Sequence, residues 1–558
     1  MTQSASPALS RLLIPLVASA ALAVPPAAPA QSDTLWRYRA PAPIKYTQVD
    51  AAGNLIVATE SVLVALQADS GQTVWTYPLH GRTSVFRTVL NAYLLVGYGH
   101  SVTALDPVTG DTVWHRGDMP DLSHTSFVTY RDRSSAVVQT KDGFAVLDLR
   151  TGRTQWDSTA LPVGTAVREY FPLFEHNVML LLARTPQNDA SLIAVTIDSG
   201  RVLWRHDSLF LTPPHIKRDR GVEYITDFQV PIMLSDTTLL IYLSTDGPMR
   251  LDPRTGVVRW RATALAGVPV GSRADGYPAP RLIDSLVLVA TEKQLVALDT
   301  SSGRVRWRTA AGFRDRPTWI VARHAGILVG GFGRTKSFLT ALDPATGRRS
   351  WPADLDCKIS ATGYFKNDTV YVSDEGVLAA VPLAGGKRNE IATIGFEGNE
   401  QPARIDTVEG GGFVLSARQN LLRVGADGRV VYRRYYKAPG ASFWAKLGST
   451  ALILGLNAAS YAATPPGGVA PVITRNPALT ARYGRSTQAA NYYYIFTESP
   501  DSLGQKGFSL VLLDRRDGRE LGRLWFDDRS PDYVLDDISA TVYVRDSDRE
   551  IVARRFRL

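Results

Sequence analysis

Cysteine is almost absent from this sequence. Cys357 is the only one among 558 residues, so the chain cannot form a disulfide of its own. A thiol without a partner is usually a small buried residue, and we interpret Cys357 in that way.

Long apolar runs are also scarce, and the one clear case lies at the start of the chain. Arg11 precedes an apolar stretch over 12–24, and Ala28-Pro29-Ala30 fits a small-residue cleavage site. The stretch is interrupted by Pro15 and is too short to span a bilayer. We therefore expect residues 1–30 to be a signal peptide, followed by a secreted or periplasmic chain without a membrane span.

Local motifs for catalysis or metal binding are missing. The eight histidines are scattered, with no pair at i, i+4 and no His-Glu-x-x-His, and there is no Gly-x-Ser-x-Gly. The glycines near Lys336 have Thr335 where a phosphate loop needs glycine, so we interpret them as a hairpin loop. The acidic residues over 527–537 lack an EF-hand glycine. We predict no catalytic residues, no metal site and no cofactor.

The net charge of +9 is compatible with acidic partners but does not identify them. The segment 429–437 interleaves arginine with tyrosine, which can favour nucleic acid. In an alternating strand, however, the same pattern describes one exposed face beside a buried one. We expect no nucleic-acid partner, because the chain is predicted to be exported.

A short hairpin unit dominates what the sequence does contain. In 294–308 an apolar run leads to Asp299, a polar turn, Gly303 and a second extended stretch with Trp307. Aspartate can bond the backbone two residues on, and glycine supplies the positive φ that ends such a turn. The unit predicts two antiparallel strands joined by a tight turn.

The unit recurs along the chain with tryptophan four residues after the turn glycine. The intervals between successive tryptophans, counted from Trp36, run from 39 to 56 residues. Periods of about 40–50 residues rich in short strands are typical of propeller blades. We assign a structural role to the repeated pairs Gly71 and Trp75, Gly110 and Trp114, Gly152 and Trp156, Gly200 and Trp204, Gly256 and Trp260, Gly303 and Trp307, and Gly347 and Trp351.

The repeat weakens after Trp351. Tyr432 takes the tryptophan place after Gly428, and after Gly518 the tryptophan is displaced to Trp525. At the other end of the chain, 34–39 looks like a last blade strand with no blade before it. Pairing it beside 551–556 would complete the last blade and remove two exposed strand edges.

These patterns predict an all-β fold, a β-propeller of four-stranded blades with about twelve repeat units. We favour two rings, with one eight-bladed ring plus degenerate blades as the alternative. The expected organisation is a signal peptide over 1–30, regular repeats over 31–390 and degenerate repeats over 391–558.

The unit Ala-Leu-Asp-x-x-Thr-Gly-x-x-x-Trp, within 102–114 and 339–351, resembles the pyrroloquinoline-quinone (PQQ) repeat. The resemblance is clear over 40–351. The family includes quinoprotein dehydrogenases and non-catalytic relatives, among them the propeller subunit of the outer-membrane barrel-assembly machinery. It implies that each tryptophan packs between neighbouring blades. In the dehydrogenases it also implies an adjacent cysteine pair and a calcium held by Glu, Asn and Asp, and a lone Cys357 excludes that pair.

The sequence therefore favours a non-enzymatic scaffold, expected to be monomeric, that binds a protein, peptide or glycan on a propeller face. The alternative is a propeller enzyme, such as a quinone-dependent dehydrogenase, a hydrolase or a lyase. Its site would be assembled from several blades, so that no local motif reveals it.

Overall fold

The structure is a computed structural model. It describes residues 33–50, 52–79, 83–89, 93–98, 100–119, 128–129, 135–140, 143–161, 166–184, 190–207, 216–219, 222–225, 231–243, 246–266, 278, 280–310, 312–332, 337–352, 354–357, 362–366, 368–374, 376–385, 387–398, 400–408, 410–439, 491–500 and 506–556. The expected signal peptide and the weak repeat unit expected near Ala451 lie outside these residues.

The described chain is built from antiparallel sheets whose strands follow one another in sequence. We number these sheets as blades 1 to 11. Blades 1 to 4 consist of β2 (Tyr46–Val49), β3 (Leu55–Ala58), β4 (Val62–Leu66) and β5 (Thr73–Pro78); β6 (Thr83–Val89), β7 (Tyr93–Tyr98), β8 (Ser101–Leu105) and β9 (Thr112–Arg116); β10 (Val128–Thr129), β11 (Ser135–Thr140), β12 (Gly143–Asp148) and β13 (Thr154–Asp157); β14 (Ala166–Leu173), β15 (Val178–Arg184), β16 (Ala190–Thr196) and β17 (Val202–His206).

A separate hairpin, β18 (Ile216–Asp219) and β19 (Val222–Ile225), stands between blades 4 and 5. Blades 5 to 8 consist of β20 (Ile232–Ser235), β21 (Thr238–Leu243), β22 (Gly247–Leu251) and β23 (Val258–Arg261); β24 (Arg281–Ile283), β25 (Leu286–Ala290), β26 (Leu295–Asp299) and β27 (Val305–Arg308); β28 (Trp319–Arg323), β29 (Gly326–Phe332), β30 (Ser337–Leu342) and β31 (Leu355–Cys357); β32 (Thr362–Lys366), β33 (Thr369–Asp374), β34 (Val377–Pro382) and β35 (Asn389–Thr393).

The last three blades complete the series. They consist of β36 (Arg404–Thr407), β37 (Phe413–Ser416), β38 (Asn420–Val424) and β39 (Val430–Tyr435); β40 (Tyr492–Pro500), β41 (Lys506–Asp514) and β42 (Glu520–Phe526), with three described strands; β43 (Tyr533–Asp536), β44 (Thr541–Arg545), β45 (Glu550–Arg555) and β1 (Asp33–Arg39). The described helices are three short 3-10 turns, η1 (Ser158–Ala160), η2 (Phe174–His176) and η3 (Thr263–Leu265).

The first strand of the chain closes the last blade. β1 pairs antiparallel with β45, and Arg37 forms ion pairs with Asp546 and Glu550 at 3.2 and 2.9 Å. This is the pairing that the sequence analysis expects, because the otherwise exposed edges of β1 and β45 satisfy each other's backbone groups.

The hydrophobic core lies between the blades. Eleven clusters of buried side chains each join one blade to the next, and one of them joins blade 11 to blade 1. Strands can bury both faces in this arrangement, which explains the continuous apolar run of β26. The contacts of the described residues therefore form one closed cycle.

The all-β propeller expected from the sequence is confirmed, and eleven described blades agree with about twelve repeat units. The described contacts contain one closure, between blades 11 and 1, and the number of rings remains a prediction. The expected division at residue 390, which lies in β35, remains a prediction.

Candidate functional site

The repeated tryptophans lie at the joints between blades. Each is at most 8% exposed. The indole N–H of each donates to a backbone carbonyl in the turn of the following blade, over 2.6–3.0 Å. Burying an indole N–H without an acceptor would cost free energy. The hydrogen bond to the carbonyl therefore allows the ring to be buried. The donor and acceptor residues are Trp36 and Ala68, Trp75 and Pro107, Trp114 and Leu149, Trp156 and Ile197, Trp204 and Pro253, Trp260 and Thr300, Trp307 and Pro344, and Trp351 and Pro382.

The turn glycine of the following blade lies against the indole ring. Gly303 has φ +69°, and a Cβ placed on it would lie 2.6 Å from the ring of Trp260. Glycine is thus required for two reasons: its backbone is left-handed, and the indole ring leaves no space for a side chain. The same overlap, at 2.3–2.6 Å, occurs for Gly71 on Trp36, Gly110 on Trp75, Gly152 on Trp114, Gly200 on Trp156, Gly256 on Trp204 and Gly347 on Trp307.

These contacts pair residues of neighbouring repeats. The sequence analysis aligns Gly303 with Trp307, whereas the structure brings Gly303 to Trp260 and Trp307 to Gly347. Spacing along the chain could not show this, because every repeat carries both residues at the same interval. The predicted site residues therefore form a series of joints, and they leave no open ligand site at the indole rings.

A third contact completes several joints. The residue two positions after the aromatic ring reaches the carbonyl of the same turn glycine: Arg116 donates to Gly152 over 3.1 Å, and Arg434 donates to Gly518 over 2.7 Å. His206 Nε2 lies 2.7 Å from the Gly256 carbonyl oxygen. The sequence analysis did not identify this position, because its residue type varies from blade to blade.

The turn aspartates serve the backbone. Asp299 accepts from the N–H groups of Ser301 and Ser302 over 3.0 and 2.9 Å. Hydrogen bonds from the Ser301 and Ser302 side chains and backbone hold the pKa of Asp299 well below its ordinary value. The Thr346 hydroxyl lowers the pKa of Asp343 in the same way. These carboxylates remain ionised and stabilise the turns.

The longest connections all leave from outer strands, at the same end of the described blades. Neighbouring strands are antiparallel, so each outer strand ends where the next blade begins. The links over 207–231 and 262–280 and the segment over 436–491 leave from outer strands β17, β23 and β39. We call this end the loop face and the opposite end, with the short glycine turns, the turn face. Binding residues are commonly carried by loops on a rigid scaffold, so the loop face is the candidate functional site.

Buried polar groups hold parts of the loop face in place. Asp246 is 1% exposed and pairs with Arg261 over 3.0 Å. Between blades 8 and 9, Glu400 accepts from the Asn420 side chain and from the Gln419 backbone N–H, each over 2.9 Å. These contacts join turns and links at this end of the described blades.

Within the described ranges, no three His, Cys, Asp or Glu side chains come together as a metal site. Cys357 ends β31, and the sequence has no second cysteine to stand beside it. The sequence therefore lacks the cysteine pair that the resemblance implies for a quinone dehydrogenase. The acidic residues over 527–537 belong to the connection around β43 rather than to such a cluster.

The structure corrects the expectation that Trp525 is the displaced repeat tryptophan after Gly518. Trp525 does not contact a turn glycine; its ring lies 5.5 Å from the Arg523 guanidinium. Tyr432 instead lies on Gly518, and Phe556 lies against Gly522, four residues further on. A glycine at that position leaves space for Phe556, which explains why the tryptophan is absent there.

No described helix is long and apolar enough to cross a membrane. None of the curated proteins matches the chain significantly in sequence. BamB from Moraxella catarrhalis is 16% identical, with 62% of this chain and 97% of that chain covered and a TM-score of 0.30. A quinohemoprotein alcohol dehydrogenase from Pseudomonas putida is 11% identical, with 62% and 72% covered and a TM-score of 0.30. These distant likenesses carry no argument about function.

The sequence model of the family described as "Outer membrane protein assembly factor BamB" matches residues 27–116, 98–263 and 245–446. The three matches overlap and together extend without a break from 27 to 446, well over half of the 558 residues. They include all seven predicted glycine and tryptophan pairs. The chain therefore belongs to this PQQ-like β-propeller family.

Proposed function

We propose that the protein is a non-enzymatic binding scaffold, secreted or periplasmic, that holds a protein or peptide partner on its propeller. The observation that carries the proposal is the match over 27–446 to a family described as an outer-membrane protein assembly factor. Assembly is a task of protein binding, and a propeller supports it by presenting loops on a rigid ring.

The geometry supports the loop face as the binding surface. The repeated aromatic and glycine residues are used within the joints. The longest connections leave from outer strands at one end of the described blades, and Arg261, at the start of one of them, pairs with the buried Asp246. A partner with complementary shape can therefore contact several blades at once.

Site-specific photo-cross-linking tests this assignment. A cross-linking residue at Glu292, in the exposed β25–β26 turn, should form adducts with one defined envelope protein. The matched control is Ser302, exposed on the turn face of the same blade. Equal adducts from both positions, or none from further loop-face positions in other blades, would count against a loop-face scaffold.

Reconstitution with PQQ and calcium tests the enzyme alternative. We expect no stoichiometric quinone absorbance and no dye-linked oxidation of alcohols or sugars, because a quinone needs a shaped slot, a polarising cation and a base. Stoichiometric quinone binding with turnover would replace the scaffold by an oxidoreductase.

A further inference from the structure

A cleft lies on the outer rim between blades 6 and 7. Its walls include Thr309, Phe313, Leu342, Gly347 and Arg348, and its volume is about 140 Å³. Phe313 and Leu342 are buried and make the base apolar. A cavity of roughly 150 Å³ can hold a benzene-sized group, so one leucine or phenylalanine side chain fits here.

The third joint contact is missing beside the cleft. The position occupied by Arg116, His206 or Arg434 at other joints is Thr309 here. Its hydroxyl turns towards its own blade and accepts from the Leu295 N–H over 3.3 Å. Among the described residues, no side chain donates to the Gly347 carbonyl. A short residue therefore leaves both a space and a free backbone acceptor beside it.

The rim of the cleft is positively charged. Arg348 is exposed and has no carboxylate partner among the described residues. Arg349, also in the wall of the cleft, is already held by Asp354 over 3.1 Å. Guanidinium groups bind carboxylates through paired hydrogen bonds, so Arg348 favours an acidic ligand.

The charge also argues against occupation by the chain's own residues outside the described ranges. The segment 440–490 contains Lys446, Arg475, Arg482 and Arg485 and no acidic residue, and 1–32 contains only Arg11 as a charged side chain. Neither is complementary to Arg348.

We propose that this cleft binds an extended acidic segment of a protein partner, with one apolar side chain inserted between blades 6 and 7. The inference rests on the proposed function and adds the chemistry of one partner segment. A carboxylate of the segment contacts Arg348. The apolar side chain rests on Phe313 and Leu342, and a backbone N–H of the segment can donate to Gly347.

The test uses the whole chain and a fluorescent peptide, Asp-Glu-Asp-Leu-Phe-Asp-Glu, with anisotropy as the readout. Thr309→Arg should weaken binding about tenfold or more, because the new side chain takes the place that Arg116 has in blade 2. It adds positive charge, so a purely electrostatic surface would bind the peptide more tightly. Arg348→Glu should also weaken binding about tenfold, through the loss of a charge-assisted hydrogen bond.

The matched control is Arg201→Glu, because Arg201 follows the turn glycine of blade 4 and is exposed. It should change the affinity by less than about twofold, as expected of a screened distant charge. Replacing Leu-Phe of the peptide by Ser-Ser should remove most binding. If Thr309→Arg does not fold, Thr309→His, which copies His206, replaces it.

The proposal would be contradicted by a lack of peptide binding at about 1 mM or by tighter binding to the Thr309→Arg variant. Equal losses of affinity in Arg348→Glu and Arg201→Glu would also contradict it. So would a dimer of the protein, seen by light scattering, that Arg348→Glu dissociates. Cross-linking from Glu292 that persists in Thr309→Arg would, together with such a result, leave the scaffold function standing and remove only the cleft.

Discussion

The joints of blades 11 and 1 to 6 differ from those of blades 7 to 10. In the first group, an indole ring always lies against a glycine of the following blade. In the second group, Trp351 still donates to Pro382, but nothing lies within 4 Å of a Cβ placed on Gly385. Ile391 replaces the aromatic residue in blade 8, and Tyr432 replaces it in blade 9.

The difference shows what a joint needs. Tyr432 lies on Gly518, and its hydroxyl donates to the Arg515 carbonyl over 2.5 Å, so it reproduces the ring contact and the hydrogen bond of an indole. Ile391 offers no ring; its backbone carbonyl lies where a Cβ on Gly428 would meet it at 2.6 Å. A joint of this kind requires a flat apolar side chain with one hydrogen-bond donor. Both tryptophan and tyrosine meet this requirement.

Removing the closing strand should have the largest effect. A chain that begins at Lys45 lacks β1 and Trp36, so it loses the pairing with β45 and one joint. We expect loss of cooperative unfolding and aggregation through the freed edge of β45. Denaturant titration and light scattering measure both, with a chain beginning at Gln31 as control. An unchanged midpoint would show that the closure is dispensable.

Truncating the residue at the ring position in each region compares the joints directly. Trp307→Ala should lower the free energy of unfolding by about 3–5 kcal/mol, as other truncations of buried aromatic residues do. Ile391→Ala should cost roughly 1 kcal/mol, because Ile391 is only half-buried. Denaturant midpoints give both values. Equal losses would contradict the distinction between the two groups.

Substituting the turn glycines separates backbone strain from contact with the ring. Gly303→Ala should cost about 2–4 kcal/mol, since a positive φ costs about 1–2 kcal/mol and overlap with Trp260 adds to it. Gly385→Ala has the strain without a neighbour and should cost about 1–2 kcal/mol. Thermal or chemical unfolding of the two variants measures both losses of stability. A larger loss in Gly385→Ala than in Gly303→Ala would contradict a contribution from the ring contact.

The smallest effect concerns a turn aspartate. The folded pKa of Asp299 lies below its unfolded value, so its stabilisation is complete above about pH 4 and is lost as the pH falls through the folded pKa. Asp299→Asn should remove about 1 kcal/mol at pH 7 and less at pH 2. Unfolding midpoints at both pH values measure this, and a constant difference would exclude the ionised form as the cause.

The periodic part of the fold was predictable from sequence because strand, turn and tryptophan recur at fixed intervals. The two strands expected within 294–308, before the turn and around Trp307, are β26 and β27. The partner of each tryptophan was not predictable, because an alignment of repeats cannot distinguish contacts within a blade from contacts between blades. The cleft between blades 6 and 7 was not predictable for a related reason. Thr309 stands out only by comparison with Arg116 and His206, and that comparison requires knowing that the three residues occupy equivalent positions at their joints.

The pairing of β1 with β45 has a consequence for the time course of folding. Arg37 and Glu550 are 513 positions apart, so the first described strand cannot pair until the last described strand has been synthesised. Contacts of such separation form late, because a long loop must close before they contribute. Until then both strands are open to other chains. The same pairing brings Asp33 next to Arg555. A circular permutant with a short linker between these residues should therefore fold with its closing strand next to its partner strand in sequence.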